Sequence, residues 1–165
     1  MKNLLIVDII DEDNSTIDSF MKALKKYHIS RVNEERLIYS FIESLLSEGN
    51  MISEEIRNNL TEMEEIIVKG KAGEKLNVKL LEIKKKILKY FNYYGQIQDI
   101  VETLEENDNE ILDESNLIYI SNLSNKITRL SDDMNLLNNI ADHIQDASVF
   151  VVVLLVLVGK KKKWF

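Results

Sequence analysis

The sequence predicts an all-α protein, and three observations carry that expectation. Its 165 residues include no proline and only five glycines, so little in the chain breaks or weakens a helix interior. Charged residues make up 30% of it, mostly Glu and Lys, a balance that suits long solvated helix faces better than sheets. Through the later two thirds, apolar residues return at alternating steps of four and three, the period of a helix that buries one stripe. The length suffices for one ordinary domain with a real core.

The elements follow in order. LLIVDIIDED, near the start, is a β-branched run closed by acids and admits one short strand. A lone strand is not stable, so it pairs with something else or folds onto the helices as irregular structure. In NSTID, Ser15 is placed as an N-cap with Asp18 three residues on. It opens a short first helix to about Lys26, with Ile17, Phe20, Met21 and Leu24 on one face. YHISRVN is a linker, and Asn33 followed by Glu34 and Glu35 starts a second helix that should reach about Lys69. Its apolar positions, Ile42, Leu45, Ile52, Ile56, Met63 and Ile66, are interrupted by Gly49 and Asn59, which predicts a bend or a wetter face near the middle.

The next two helices are more regular. Leu76, Leu80, Ile83, Ile87, Tyr90, Tyr94, Ile97, Val101 and Leu104 form an unbroken seam in the third. Ile120, Leu123, Ile127, Leu130, Met134, Leu137, Ala141 and Ile144 do the same in the fourth. Stripes this narrow call for partner helices in a coiled-coil-like arrangement. GKAG at 70–73 is a tight turn between the second and third helices, and EENDNEILDES at 105–115 joins the third to the fourth with Asp113 and Ser115 as caps. Connections so short predict a long antiparallel hairpin beside a long stalk helix.

The chain closes with VFVVVLLVLVGKKKKWF. From Ala147 to Val158 only Ser148 is polar, and at 1.5 Å per residue this short apolar helix covers roughly 18 Å, against about 30 Å of bilayer core. Lys160, Lys161, Lys162 and Lys163 are the signal that holds a membrane segment on the cytoplasmic side, each favouring an anionic leaflet by roughly 1 kcal/mol, and Trp164 suits the headgroup layer. A net charge of −7 argues against nucleic acid as a partner. The absence of cysteine removes disulfides, thiol nucleophiles and thiolate metal sites, and Met1–Ile10 lacks the basic start and apolar length of a signal peptide.

Three stretches carry a resemblance to a known family. ERLIYSFIESLLSEGNMISEEIRNNLTEMEEII, KLLEIKKKILKYFNYYGQIQDIVETLEEND and LIYISNLSNKITRLSDDMNLLNNIADHIQDA resemble the two hairpin helices and the stalk helix of the CorA family of divalent-cation channels. The likeness covers about residues 33 to 147 and the basic tail, and LLIVDIIDED resembles the closing strand of that family's cytosolic α/β domain. It divides the chain into a remnant and linker (1–32), hairpin and stalk (33–147) and a partial membrane helix with basic tail (148–165). It implies a homopentamer in the cell membrane with residues 1–147 in the cytoplasm. The expected activity is passive transport of Mg²⁺ or Co²⁺ gated by cytosolic metal, with no organic cofactor and no enzymatic activity. The family's stalk runs into a first membrane helix, a Gly-Met-Asn pore mouth and a second membrane helix. Here the first helix, the signature and the start of the second are missing between Ala147 and Ser148, as is most of the N-terminal domain. The expectation is therefore a truncated form that does not conduct alone. The alternative is a non-transporting coiled-coil interaction protein that docks on membranes through its tail.

Few side chains suggest chemistry. Asp146 falls where the family has an acid near the membrane end of its stalk, associated with regulatory divalent ions between subunits, and a carboxylate is the right ligand for Mg²⁺. Asp142 stands four residues earlier on the same helical face, with His143 between them, so a second metal reading exists beside that of an ordinary polar face. His28 has no acid at ligand spacing, EENDNE lacks the glycine and ligand order of a calcium loop, and Tyr90 and Tyr94 fall on the seam, where packing accounts for them. The lysines of KKKILK read as a charged face beside the seam, and no nucleophile turn or phosphate loop is present.

Overall fold

The fold is that of a computed structural model, which describes residues 18, 20–22, 25, 33–108, 110 and 112–161. Asn33 opens α1 (Glu34–Leu45) from an extended backbone, its side chain accepting the Arg36 N–H at 3.1 Å. The stretch read from sequence as one long second helix is in fact two. Leu46–Glu48 turns out of the helix and α2 (Gly49–Val68) begins afresh. Serine hydroxyls take up carbonyls near the break: Ser44 Oγ donates to the Phe41 carbonyl at 2.6 Å and Ser47 Oγ to the Ser44 carbonyl at 2.7 Å. After the restart, Gly49, Ser53, Ile56, Leu60, Met63 and Ile67 are buried at steps of four and three. The stripe continues the phase of Ile42 and Leu46 through the restart, burying Ile67 and leaving Ile66 38% exposed.

Gly70 ends α2 with a left-handed φ of 69°, its N–H bonded to the Ile67 carbonyl and that of Lys71 to the Ile66 carbonyl. This is the paired closure that glycine permits without a Cβ clash. α3 (Glu74–Glu106) follows directly. Its exit is held by Asn107, which takes φ 49° while its side-chain amide both donates to and accepts from the backbone of Leu112. Asp113 then caps a 3₁₀ turn (Glu114–Asn116), accepting from the N–H and hydroxyl of Ser115, bonds that hold its carboxyl below the usual range. Of the two expected caps Asp113 serves, and Ser115 is its donor. α4 (Leu117–Lys161) runs 45 residues without interruption. The expected strand and the Ser15 cap lie outside the described residues, and Asp18, Phe20, Met21, Lys22 and Lys25 are helical where the first helix was expected. Among the described residues there is no strand.

The chain divides into two compact units, Met1–Glu48 with Gln96–Thr128, and Gly49–Gly95 with Arg129–Phe165. In the first, α1 runs in the same direction as the start of α4. Arg36 donates to Tyr119 Oη at 2.8 Å and Lys126 to Glu43 at 2.6 Å, both pairs 83 positions apart in sequence. The end of α3 runs the opposite way, joined to α4 by Gln98 to Ser124 at 2.9 Å and by Ser121 to Glu105. Glu35, buried at the start of α1, accepts the Asp113 N–H at 2.8 Å, so a buried carboxylate fixes the connection between α3 and α4.

In the second unit α2 and α3 are the expected antiparallel hairpin, with Glu55 meeting Lys86 at 2.8 Å and Glu62 meeting Lys79 at 3.6 Å. α4 lies antiparallel to α3 through Lys84 with Asp142 at 2.6 Å and Ser148 with Asn77 at 3.0 Å. The core is the pair of stripes seen in the sequence. Leu130, Met134, Leu137, Ala141 and Ile144 are no more than 2% exposed, and Leu76, Leu80, Ile83, Ile87 and Tyr94 face them from α3 with at most 7%. Gly49 is required by this packing, since a Cβ there would lie 2.8 Å from both Leu130 methyls and 3.1 Å from Tyr94 Oη.

Tyr94 gives a stability prediction. Its ring is 1% exposed and its hydroxyl has no hydrogen-bond partner. Burial, followed by the neighbouring Tyr90, Tyr93 and Asp133, pushes its ionisation up to about 12. Tyr94→Phe keeps the ring and removes an unpaired polar atom, so it is expected to stabilise the fold by about 1 kcal/mol in urea melts. Because the folded state holds the phenol proton more tightly than the unfolded one, the wild-type stability tied to that proton is fully present below pH 10 and lost as pH rises toward 12. Wild type is therefore expected to weaken over that window more than Tyr94→Phe does.

Candidate functional site

The features that suggest function gather where α4 passes from stalk to apolar end. Nothing between Ile144 and Val158 can break a helix, as neither proline nor glycine occurs there, and the backbone continues through Ala147 and Ser148. The apolar end is thus the final part of α4 and not a separate short helix. Ser148, its single polar residue, is fully buried and donates to Asn77 Oδ1, which removes the cost of a hydroxyl in an apolar setting.

Beyond Ser148 the packing stops. Val149, Phe150 and every residue from Val152 to Val158 are between 38% and 64% exposed, and Val151 alone is half-buried. A helix that is apolar on all sides belongs in a bilayer or in a protein interior, and the second unit provides no such interior for this one. Taken whole, α4 is long and apolar enough to cross a membrane, by length and composition. Lys160 and Lys161 continue the helix, while Lys162 and Lys163 lie outside the described residues.

The two candidate metal ligands have different surroundings. Asp142 is half-buried, with one carboxylate oxygen on Lys84 Nζ at 2.6 Å and the other accepting from Asn138 Nδ2 at 3.2 Å. Lys84 also donates to Gln145 Oε1 at 2.9 Å, so Asp142 belongs to a small network that ties α4 to α3. Lys84 and Asp142 are partly solvated, which limits their pairing to about 0.2–1 kcal/mol. Asp146 is exposed one turn closer to the apolar end, and His143 is exposed as well. Among the described residues no three His, Cys, Asp or Glu side chains form a group able to hold a metal. Of the two candidate carboxylates, that of Asp146 is the one left exposed. A groove of about 360 Å³ between α3 and α4, lined by Asn77, Leu80, Leu81, Lys84, Gln145 and Val149, lies beside this network. Sequence reasoning missed Lys84 and Asn77, whose partners are 58 and 71 positions away.

These features define a class first: a helical stalk whose last helix leaves it as an uncovered apolar segment able to cross a membrane. A family model described as CorA-like Mg²⁺ transporter protein matches residues 1–152, nearly the whole chain, and the chain belongs to that family. The match takes in residues 1–32 as well as the hairpin and stalk, and it runs through Ala147 and Ser148 into the apolar end. No curated protein and no solved structure matches the chain.

Proposed function

We propose that the chain serves divalent-cation transport as a membrane-anchored stalk, with residues 33–147 as cytoplasmic hairpin and stalk and 148–165 as the membrane portion and basic tail. In the complete transporter the ion is Mg²⁺ or Co²⁺, moved passively through a homopentamer and regulated by the same ion on the cytosolic side; this chain is a truncated form that does not conduct alone. The observation that carries this reading is the unbroken course of α4 from a fully packed stripe into a bare apolar end. Membership of the family supplies the cation. Asp146 is the ligand we assign to the regulatory ion, because its carboxylate is exposed and free of ion pairs while that of Asp142 is engaged. The lysines that end α4 favour an anionic membrane surface.

The test is the oligomeric state of the chain in lipid nanodiscs or detergent as Mg²⁺ is raised through the millimolar range. A pentamer whose stability rises with Mg²⁺, with the response lost in Asp146→Asn and kept in His143→Gln, is the expected result. An oligomer indifferent to divalent ions in all three proteins would remove the metal-regulated reading and leave a membrane-docking helical protein.

A further inference from the structure

The turn between α2 and α3 carries a charge opposite to that of the chain. From Val68 to Lys79 there are four lysines and one acid, a local charge of +3 in a protein of net charge −7. Lys69 and Lys79 are engaged with Glu65 and Glu62. Lys71 and Lys75 are exposed and have no acidic partner. Beside them Val68 is 86% exposed at the last position of α2, and Val78 is 53% exposed near the start of α3. Lysines interleaved with bare valines suit neither plain solvent nor a protein core.

The position of this turn indicates what it meets. Asn77 is level with Ser148, the last packed residue of α4 before its apolar end. α3 runs antiparallel to α4, so each step back from Asn77 toward the turn rises 1.5 Å along the apolar end. Glu74 stands roughly 5 Å past Ser148, and the turn of residues 70–73 joins α3 at that end. Gly70 holds the turn in one closed geometry, so the lysines are presented and not trailing.

We propose that the turn from Val68 to Lys75 docks on the anionic phospholipid headgroups of the leaflet that α4 enters, with Lys71 and Lys75 on the phosphates and Val68 at the edge of the acyl layer. This rests on the apolar end of α4 lying in that bilayer. It gives the stalk a second attachment to the membrane, made of charge rather than apolar surface and therefore sensitive to lipid composition and to salt.

The test uses the whole chain, which has no cysteine of its own. An environment-sensitive fluorophore is attached at Ala72→Cys, and in a second protein at Leu154→Cys, each reconstituted into vesicles of phosphatidylcholine alone or mixed with phosphatidylglycerol. Access of acrylamide, a neutral quencher, is then measured at low and high salt. The expected result is a label at 154 shielded in every vesicle, and a label at 72 shielded only in the anionic vesicles at low salt. Lys71→Gln with Lys75→Gln should shift the turn toward its free state by about thirtyfold, roughly 1 kcal/mol for each lysine, without changing the label at 154. A label at 72 that stays accessible while 154 is shielded overturns the proposal and leaves the membrane anchor intact. Equal shielding at 72 in phosphatidylcholine alone overturns it in favour of protein covering the turn. Accessibility at both positions overturns the anchor and the proposal together.

Discussion

An arginine placed at Val153 should take the chain off membranes. Val153 stands in the middle of the apolar end, 49% exposed in a single copy. Its replacement therefore sacrifices little packing within the chain. In a bilayer the same change puts a guanidinium near the middle of the apolar segment, where a central arginine costs about 2.5–3.5 kcal/mol on the insertion scale. Flotation with phosphatidylcholine vesicles is then expected to recover about a hundredfold less of Val153→Arg than of wild type, while its thermal melt in detergent is unchanged. Equal flotation of the two proteins would mean that this end of α4 does not reach the hydrocarbon. Neutral vesicles matter here, because the lysines after Val158 would hold either protein at an anionic surface.

The other large effect belongs to the stripe of α4. Leu130 and Leu137 are 2% and 0% exposed, each enclosed by the second unit. Leu130→Ala and Leu137→Ala are each expected to cost about 2–5 kcal/mol, the lost transfer of the side chain plus the cavity left behind. Leu130 should lie toward the lower end, since its methyls press on Gly49 and the space it vacates adjoins a backbone able to settle into it. Urea unfolding monitored by helical circular dichroism checks both. A midpoint that does not move for Leu137→Ala would show that the stripe is not packed in solution. The two positions share a core, so the double variant should not be the sum of the singles.

How much of this was legible from sequence differs between elements. The stripes of α3 and α4 were read almost residue by residue, because each is a long helix in which a missed cap cannot shift the period. All eight positions named in α4 are buried, and in α3 only Tyr90 and Leu104 are half-buried. α1 and α2 were read as one helix with a bend or wetter face expected at Gly49, and the break falls at Leu46–Glu48, directly before that glycine. Gly49 must leave room for Leu130 and Tyr94, and neither requirement can be seen in the residues around Gly49 itself. Leu45 and Ile66 were named where Leu46 and Ile67 are the buried ones, each one position off a stripe that runs through Ile42, Leu46, Gly49, Ser53, Ile56, Leu60, Met63 and Ile67 at steps of four and three.

The site was legible where it depends on composition and not where it depends on partners. The apolar end and its lysines are visible as letters. The engagement of Asp142 by Lys84, which distinguishes it from Asp146, joins residues on two helices that only the fold brings together. The segments expected to be missing between Ala147 and Ser148 were inferred from a family pattern, on which the course of the backbone does not bear; locally nothing there opposes a helix, and α4 continues through both residues.

That continuity has a mechanical meaning. From Arg129 to Lys161 the same ladder of backbone hydrogen bonds links the packed stripe to the uncovered end, with no joint at which one could swivel on the other. α4 is therefore a shaft. If Leu130, Met134, Leu137, Ala141 and Ile144 change the neighbours against which they lie, the rotation that requires cannot be absorbed on the way and must turn Val149 to Val158 through a similar angle. What the packed stripe can deliver to the apolar end is torque.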